Sequence, residues 1–212
     1  MRFANTTLAQ LFLEQEGVNP TLAEQRGRTP LTHAAGAGQE GLVKLLLERG
    51  DVNPDSPDKD GRTPLSYAAS YGREGVVKIF LERGDVDPDS SDNYGKTPLF
   101  YAARYGHEGV VKIFLEKGDV NPDSSDEDGR TPLSHAAGSR HESVVKIFLE
   151  RGDVNRDSSN QDGRTPLSHS AESGREGMVK IFLEREDINP DSSDEDGRTP
   201  LLHSVPNGPG RW

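Results

Sequence analysis

The sequence predicts an all-α fold: a stack of like units, each made of two short helices and a loop. Three observations predict it. Thr-Pro-Leu recurs at Thr29, Thr63, Thr97, Thr131, Thr165 and Thr199, every interval being 34 residues. An apolar segment recurs in step with it: VVKIFLE at 76–82, 110–116 and 144–150, LVKLLLE at 42–48 and MVKIFLE at 178–184. A fixed period of this length belongs to stacked units, not to one core with a unique centre. Composition supplies the third observation. Leu, Ile, Val and Phe make 45 of 212 residues and the net charge is −11, which sits just above the disordered class at roughly 20%. So polar a chain folds only if its order of residues lets each unit bury its apolar face against a copy.

The elements follow in order. Residues 8–20, LAQLFLEQEGVNP, align with 76–88 at twice the period, so the chain opens on the second helix of a partial unit, with Asn5 or Thr6 as its expected cap. In a full unit, Thr63 supplies a capping hydroxyl and Pro64 takes the first helical position, where a missing N–H costs nothing. Helix A then runs from Pro64 to about Ser70, with Leu65, Ala68 and Ala69 on one face. Gly72 ends it in a left-handed conformation. Helix B starts near Glu74, whose carboxylate suits the positive end of the helix dipole, and finishes with Arg83 at the negative end. Val76, Val77, Phe80 and Leu81 form its apolar face, and Gly84 is expected to stop it. The remainder, DVDPDSSDNYGK, reads as an extended loop or hairpin. The expected boundaries are a partial unit at 1–28, full units at 29–62, 63–96, 97–130, 131–164 and 165–198, and a partial unit with tail at 199–212. In that last segment Pro206, Gly208 and Pro209 forbid a second helix. It holds no long polar capping helix, which leaves two readings: an array that continues, or a last unit that frays.

Neither helix is long enough to stand alone in water, where about 12–15 residues are needed. The small Ala68 and Ala69 let two helices approach closely, and the next unit covers the large residues of helix B.

These residues resemble the ankyrin repeat. The family pattern runs Asp-x-x-Gly-x-Thr-Pro-Leu-His-x-Ala-Ala, two residues, Gly, a Val-Val/Leu-Leu helix, Gly, then an Asp-Val-Asn hairpin. Asp92, Gly95, Thr97, Pro98, Leu99, Ala102, Ala103, Gly106, Val110, Val111, Phe114, Leu115, Gly118, Val120 and Asn121 match it in order. The match covers about residues 18–204. The resemblance implies an ankyrin-repeat solenoid of stacked antiparallel helix pairs, with hairpin loops projecting at roughly right angles and a concave face. Three departures stand out. The period is 34 where the family usually has 33, the change falling in NPDSSD. The motif's His is replaced by Thr32, Ser66, Phe100, Ser134, Ser168 or Leu202, so its hydrogen bonds must be made otherwise. Arg140 stands where the inter-helix Gly belongs, and its turn must take another conformation or bear strain.

Several functions are excluded. The acidic surplus opposes nucleic acid, whose affinity rests on Lys and Arg. No apolar run is long enough to span a bilayer. Met1-Arg2-Phe3-Ala4-Asn5 opens no secretory leader and there is no Cys, so an intracellular location, cytoplasmic or nuclear, is expected. His33, His135, His169 and His203 share one repeat position with Tyr67 and Tyr101. Helices about 8–10 Å apart cannot bring successive rings onto one metal ion, so these read as structural rings. The DSSDEDG loops at 123–129 and 191–197 lack the bidentate carboxylate of a calcium loop: counting Ser124 as position 1, His135 falls at position 12. Arg-Gly-Asp at Arg49, Arg83 and Arg151 reads as a helix end. No phosphate loop or nucleophile–base pair occurs, so neither an enzyme nor a cofactor is expected.

Differences among near-identical copies point to what a generic array does not require. The resemblance implies partner contacts from the two residues after the hairpin Asp, the residue before Thr, and the two after Ala-Ala. In successive units these are Lys59, Asp60, Arg62, Ser70 and Tyr71; then Asn93, Tyr94, Lys96, Arg104 and Tyr105. The next two units contribute Glu127, Asp128, Arg130, Gly138 and Ser139, and Gln161, Asp162, Arg164, Glu172 and Ser173. All five tyrosines, at 67, 71, 94, 101 and 105, fall in the second and third full units. Tyr and Arg dominate binding hot spots. The expected site is therefore Tyr71, Asn93, Tyr94, Lys96, Phe100, Arg104 and Tyr105, binding a protein partner, with the acidic loops steering it if it is basic. A monomer is expected. The competing reading is a passive spacer in a larger protein, favoured by the near-identity of the copies.

Overall fold

The computed structural model describes the backbone of residues 2–15 and 17–205, with side chains from residue 7 onward, residue 16 excepted. The helices in order are α1 (Arg2–Leu13), α2 (Pro30–Ala37), α3 (Glu40–Leu47), α4 (Pro64–Ser70), α5 (Glu74–Leu81) and α6 (Pro98–Arg104). They continue with α7 (Glu108–Lys117), α8 (Pro132–Gly138), α9 (Glu142–Leu149), α10 (Pro166–Glu172), α11 (Glu176–Leu183) and α12 (Pro200–Ser204). Among the described residues there is no strand, and no helix is long and apolar enough to cross a membrane. Even-numbered helices begin at Thr-Pro and are helices A of the sequence pattern; odd-numbered ones are helices B.

The chain forms two compact units. The first takes in the residues up to Ala102 together with Gly109–Val120. Within it α2 packs on α4 and α3 on α5, the pairs α2–α3 and α4–α5 lie side by side, and α1 rests on α3. The second takes in Ala103–Glu108 and the residues from Asn121 onward. There α10 packs between α8 and α12, α9 packs on α11, and α8–α9 and α10–α11 form the pairs. In each unit, then, consecutive helix pairs are stacked.

Each helix A of the five full repeats starts by one local mechanism, which α12 lacks at Thr199. The Thr hydroxyl accepts the amide N–H of the third helical residue: Thr32 to Thr29, Ser66 to Thr63, Phe100 to Thr97, Ser134 to Thr131 and Ser168 to Thr165, at 3.2–3.3 Å. The hydroxyls of Thr32, Ser66, Ser134 and Ser168 lie 3.1–3.3 Å from the same Thr oxygens. The substituted His position thus bonds within its own repeat. Helix B contributes the large core residues, and Phe80, Phe114, Phe148 and Phe182 are fully enclosed.

Three expectations are corrected by the backbone. First, α1 begins at Arg2 and runs through Asn5 and Thr6, so neither residue is its cap; Pro206, Gly208 and Pro209 lie outside the described residues. Second, Gly84 does not stop helix B. The helix closes at Leu81 with an ordinary right-handed Glu82, and Gly50, Gly84 and Gly152 are absent from the left-handed region that Gly118 occupies at φ 83°. The guanidinium of Arg83 caps the preceding helix B instead, donating to the Leu47 carbonyl at 3.3 Å. Third, Arg140 bears no left-handed strain. Ser139 is extended at φ −97°, ψ −171°, and no residue other than glycine has positive φ among those described.

Candidate binding surface

Between the helix pairs the loops are ordered by carboxylates. The turn Asp58–Gly61 closes with the Gly61 N–H donating to the Asp58 carbonyl at 3.0 Å. Asp58 Oδ1 accepts the amides of Asp60 and Arg62, both at 2.9 Å. Asp92, Asp126, Asn160 and Asp194 repeat the arrangement. Gly61 sits at φ 84°, and a Cβ there would strike the backbone of Asp92 and Asn93 in the next loop. Only glycine meets both demands. Consecutive turns are then joined by backbone bonds, Lys59 N–H to Arg26 O at 3.0 Å and Asn93 N–H to Asp60 O at 2.9 Å. The altered NPDSSD tips make a second ladder, in which Asp55, Asp123 and Asp157 accept the amides of Asp87, Asn155 and Asn189 at 2.9–3.0 Å. Burial pushes the Asp55 carboxyl above its usual range, although the Asp87 amide opposes it.

The second oxygen of each turn carboxylate holds a ring nine residues on. Tyr67 donates to Asp58 Oδ2 at 2.7 Å, Tyr101 donates to Asp92, and the Nε2 atoms of His135 and His203 lie 2.9 Å from Asp126 and Asp194. In these four repeats the shared His/Tyr position is accordingly a structural ring, whereas His33 stands exposed with its Nε2 3.6 Å from Glu24. Burial first, then the bond to Asp58, pushes the Tyr67 phenol up to about 12. His169 breaks the series. Its turn residue is Asn160, whose carboxamide is engaged with the Asp162 and Arg164 amides, and the His169 Nε2 is buried without a partner. Burial first, and then Arg130, bring its pKa down to about 4. This break was open to sequence reasoning, since positions 24, 58, 92, 126 and 194 are all acidic and 160 is not. Nothing short of the fold, however, shows that ring and turn residue touch.

The seven expected site residues are not alike. In the first unit Tyr71 caps α4 and stands half exposed, its ring stacked on Tyr67 at 6.5 Å. The two rings help line a depression of about 250 Å³ with Arg28, Thr32, His33, Gly36 and Ala37. Tyr94 is also half exposed, with the Lys96 ammonium 5.1 Å from its ring centre. Asn93 is already engaged, its carboxamide donating to the Lys59 carbonyl at 3.0 Å. Phe100 is a correction. At 1% exposure it belongs to the core, packed edge-on against Tyr101 at 5.5 Å, and offers no surface to a partner. The position it fills is buried in every full repeat, whether it carries a hydroxyl or a ring.

In the second unit Tyr105 is half exposed, 6.5 Å from the His107 ring. Arg104 Nη1 lies 3.3 Å from His135 Nδ1. Because a guanidinium only donates, Nδ1 accepts and Nε2–H is the atom donating to Asp126. Burial first, with Arg104 adding to it, lowers the His135 pKa although Asp126 opposes. A neutral ring is thereby held between an acid and a base, and it aims Arg104.

The Arg-Gly-Asp segments are closed pairs. Arg49, Arg83 and Arg151 each grip the Asp two residues on through both Nε and Nη2, at 2.5–3.0 Å. Among the described residues no three His, Asp or Glu side chains gather as a metal site would require.

A family model for ankyrin repeats matches in three copies, over residues 1–92, 77–158 and 152–210. The chain belongs to the ankyrin repeat family. No curated protein matches it over its sequence. Ankyrin repeats are in general protein–protein interaction modules and non-catalytic. In this ankyrin chain six of the seven expected site residues, Tyr71, Asn93, Tyr94, Lys96, Arg104 and Tyr105, lie at least partly at the surface, Asn93 with its carboxamide already engaged.

Proposed function

We propose that this chain is a non-catalytic binding module for a protein partner. Tyr71, Tyr94 and Lys96 on the first unit and Arg104 and Tyr105 on the second supply its anchors. The observation that carries the reading is that Tyr71, Tyr94 and Tyr105 are large aromatic side chains about half exposed. The corresponding positions of the other repeats hold small or polar residues. Rigid aromatic rings beside fixed cations lose little entropy on binding and bury much area. The net charge of −11 favours a basic partner by steering its approach. An intracellular setting accords with the lack of cysteine.

Affinity capture from source-cell extract tests this. The baits are the wild-type chain, a Tyr71→Ala/Tyr94→Ala variant and an Arg104→Ala/Tyr105→Ala variant, matched for helical content by circular dichroism. A protein retained by the wild type and lost by either variant supports the reading. Three identical capture lists would overturn it and leave a passive spacer.

A further inference from the structure

The turns of the first unit carry a charge opposite to that of the chain. Their outer positions, the two residues after each turn acid and the one before each Thr, hold Arg26, Arg28, Lys59, Arg62 and Lys96 against the single carboxylate of Asp60. The same positions of the second unit hold three arginines against five carboxylates. The inner turn carboxylates of the first unit do not reverse its sign. Asp58 and Asp92 are buried and committed to backbone amides and to the Tyr67 and Tyr101 hydroxyls. Glu24 is taken up by Arg28. Arg62 lies over the Tyr101 ring, 5.0 Å from its centre, and Lys96 stands 5.1 Å from the centre of the half-exposed Tyr94 ring. Among the described residues Arg26, Lys59 and Lys96 form no ion pair. Arg26 and Lys59 also border an open depression of about 550 Å³, together with Gln25 and Asp60. It lies between two turns that are bonded to each other, Lys59 N–H to Arg26 O at 3.0 Å, and not at an end of the series.

On the footing of the binding role proposed above, we infer that these turns dock an acidic segment of the protein partner, an extended stretch with Asp or Glu at every third residue. Packed helices of successive repeats lie roughly 8–10 Å apart, and their turns follow the same step. Three residues of extended chain span about 10 Å. A carboxylate on every third residue therefore meets the cations of successive turns, first Arg26 and Lys59 at the depression, then Arg62, then Lys96. Asp60 opposes an anion at the depression, and the two cations beside it outweigh it. Tyr94 offers the segment an apolar contact at the third turn. The net charge of −11 acts at longer range, on the approach of the partner as a whole. Screening beyond about 8 Å leaves the contact itself to the local cations. Nucleic acid is the other polyanion that such an edge attracts, and the 36 acidic residues of the chain oppose it.

Fluorescence anisotropy on the 212-residue chain at low ionic strength tests this. The probes are labelled, end-blocked peptides of three Glu-Gly-Ser triplets, the same peptide with Gln or Lys for Glu, and a single-stranded oligothymidylate. The wild type should bind the glutamate peptide at least about tenfold more tightly than the glutamine one, as three screened ion pairs acting together would give. An Arg26→Glu/Lys59→Glu variant should lose that preference. A Lys146→Glu/Lys180→Glu variant changes the net charge equally, at exposed positions of the second unit, and should keep it. Helical content checks the fold of both variants. A wild type that does not prefer the glutamate peptide, or prefers the lysine one, overturns the proposal. So does a preference that survives Arg26→Glu/Lys59→Glu or disappears equally in both variants, and tighter binding of the oligothymidylate overturns it in favour of nucleic acid. The tyrosine-dependent capture uses baits that retain Arg26 and Lys59, so a negative peptide result strikes the acidic segment and leaves the binding module standing.

Discussion

Replacing Asn160 by Asp should stabilise the protein, and the gain should grow as the pH falls. In the wild type the buried His169 Nε2 has no hydrogen-bond partner. A group left in that condition costs about 1–3 kcal/mol. At three of the four equivalent positions the carboxylate places its second oxygen 2.7–2.9 Å from the ring of Tyr67, His135 or His203, and at the fourth Asp92 accepts from Tyr101. A carboxylate in place of the Asn160 carboxamide therefore needs no rearrangement to receive the His169 N–H. It would also stand near Arg130, as Asp92 and Asp194 stand 3.9 Å from the Nε atoms of Arg62 and Arg164, an attraction of charges without a hydrogen bond. Burying the new carboxylate offsets part of this, leaving a gain of about 1–2 kcal/mol at neutral pH. The pH dependence follows from linkage. The His169 pKa is held at about 4 in the folded protein and is about 6.5 when unfolded. Between those values the unfolded chain takes up a proton that the folded one refuses, so the wild type loses stability as pH falls through that window. The loss is at most about 3.5 kcal/mol at about 1.4 kcal/mol per tenfold. In the Asn160→Asp variant the folded His169 pKa rises and the loss shrinks, so the variant's advantage should be larger at about pH 5 than at about pH 7. Urea denaturation followed by circular dichroism at both values measures it, with the His169 ring titrated by NMR. A variant no more stable than the wild type, or an advantage that shrank on acidification, would refute the reasoning.

Other substitutions test the remaining parts of the account. Phe114→Ala should cost about 3–5 kcal/mol in urea denaturation, through lost burial and the cavity it leaves, because Phe114 is fully enclosed. Gly84→Ala should be neutral or stabilising by up to about 1 kcal/mol, since Gly84 avoids the left-handed region and a Cβ there meets nothing. Gly61→Ala should instead cost more than about 1 kcal/mol, its φ of 84° and the adjoining Asn93 both opposing a side chain; thermal melts of the pair compare the two directly. Thr131→Ala should cost about 1 kcal/mol by removing the α8 cap, measured the same way.

Helix A could be read from the sequence almost residue by residue, because a capping Thr, a Pro at the first position and a following glycine mark it from both sides. Helix B was legible at its start, where Glu74 opens the first turn. Its end was not, because Gly84 looks like a terminator while the helix closes two residues earlier and the next repeat's cation satisfies its carbonyls. That partner lies 36 residues away and leaves no local mark. Arg140 raised the right question, and the extended Ser139 answers it. At the surface the half-exposed Tyr71, Tyr94 and Tyr105 were findable as departures from a near-perfect repeat. Phe100 departs as clearly but points inward: variation between copies identifies positions, and only packing tells which of them face solvent.

The claim that these tyrosines and their neighbouring cations anchor a partner is tested most directly by isothermal titration of the captured protein. It would be titrated against the wild type, Tyr71→Ala and Tyr105→Ala, with helical content confirmed equal. The account predicts that at least one substitution weakens binding by about thirtyfold or more, the loss expected of a hot-spot residue at about 2 kcal/mol. Unchanged affinity in both variants would contradict it.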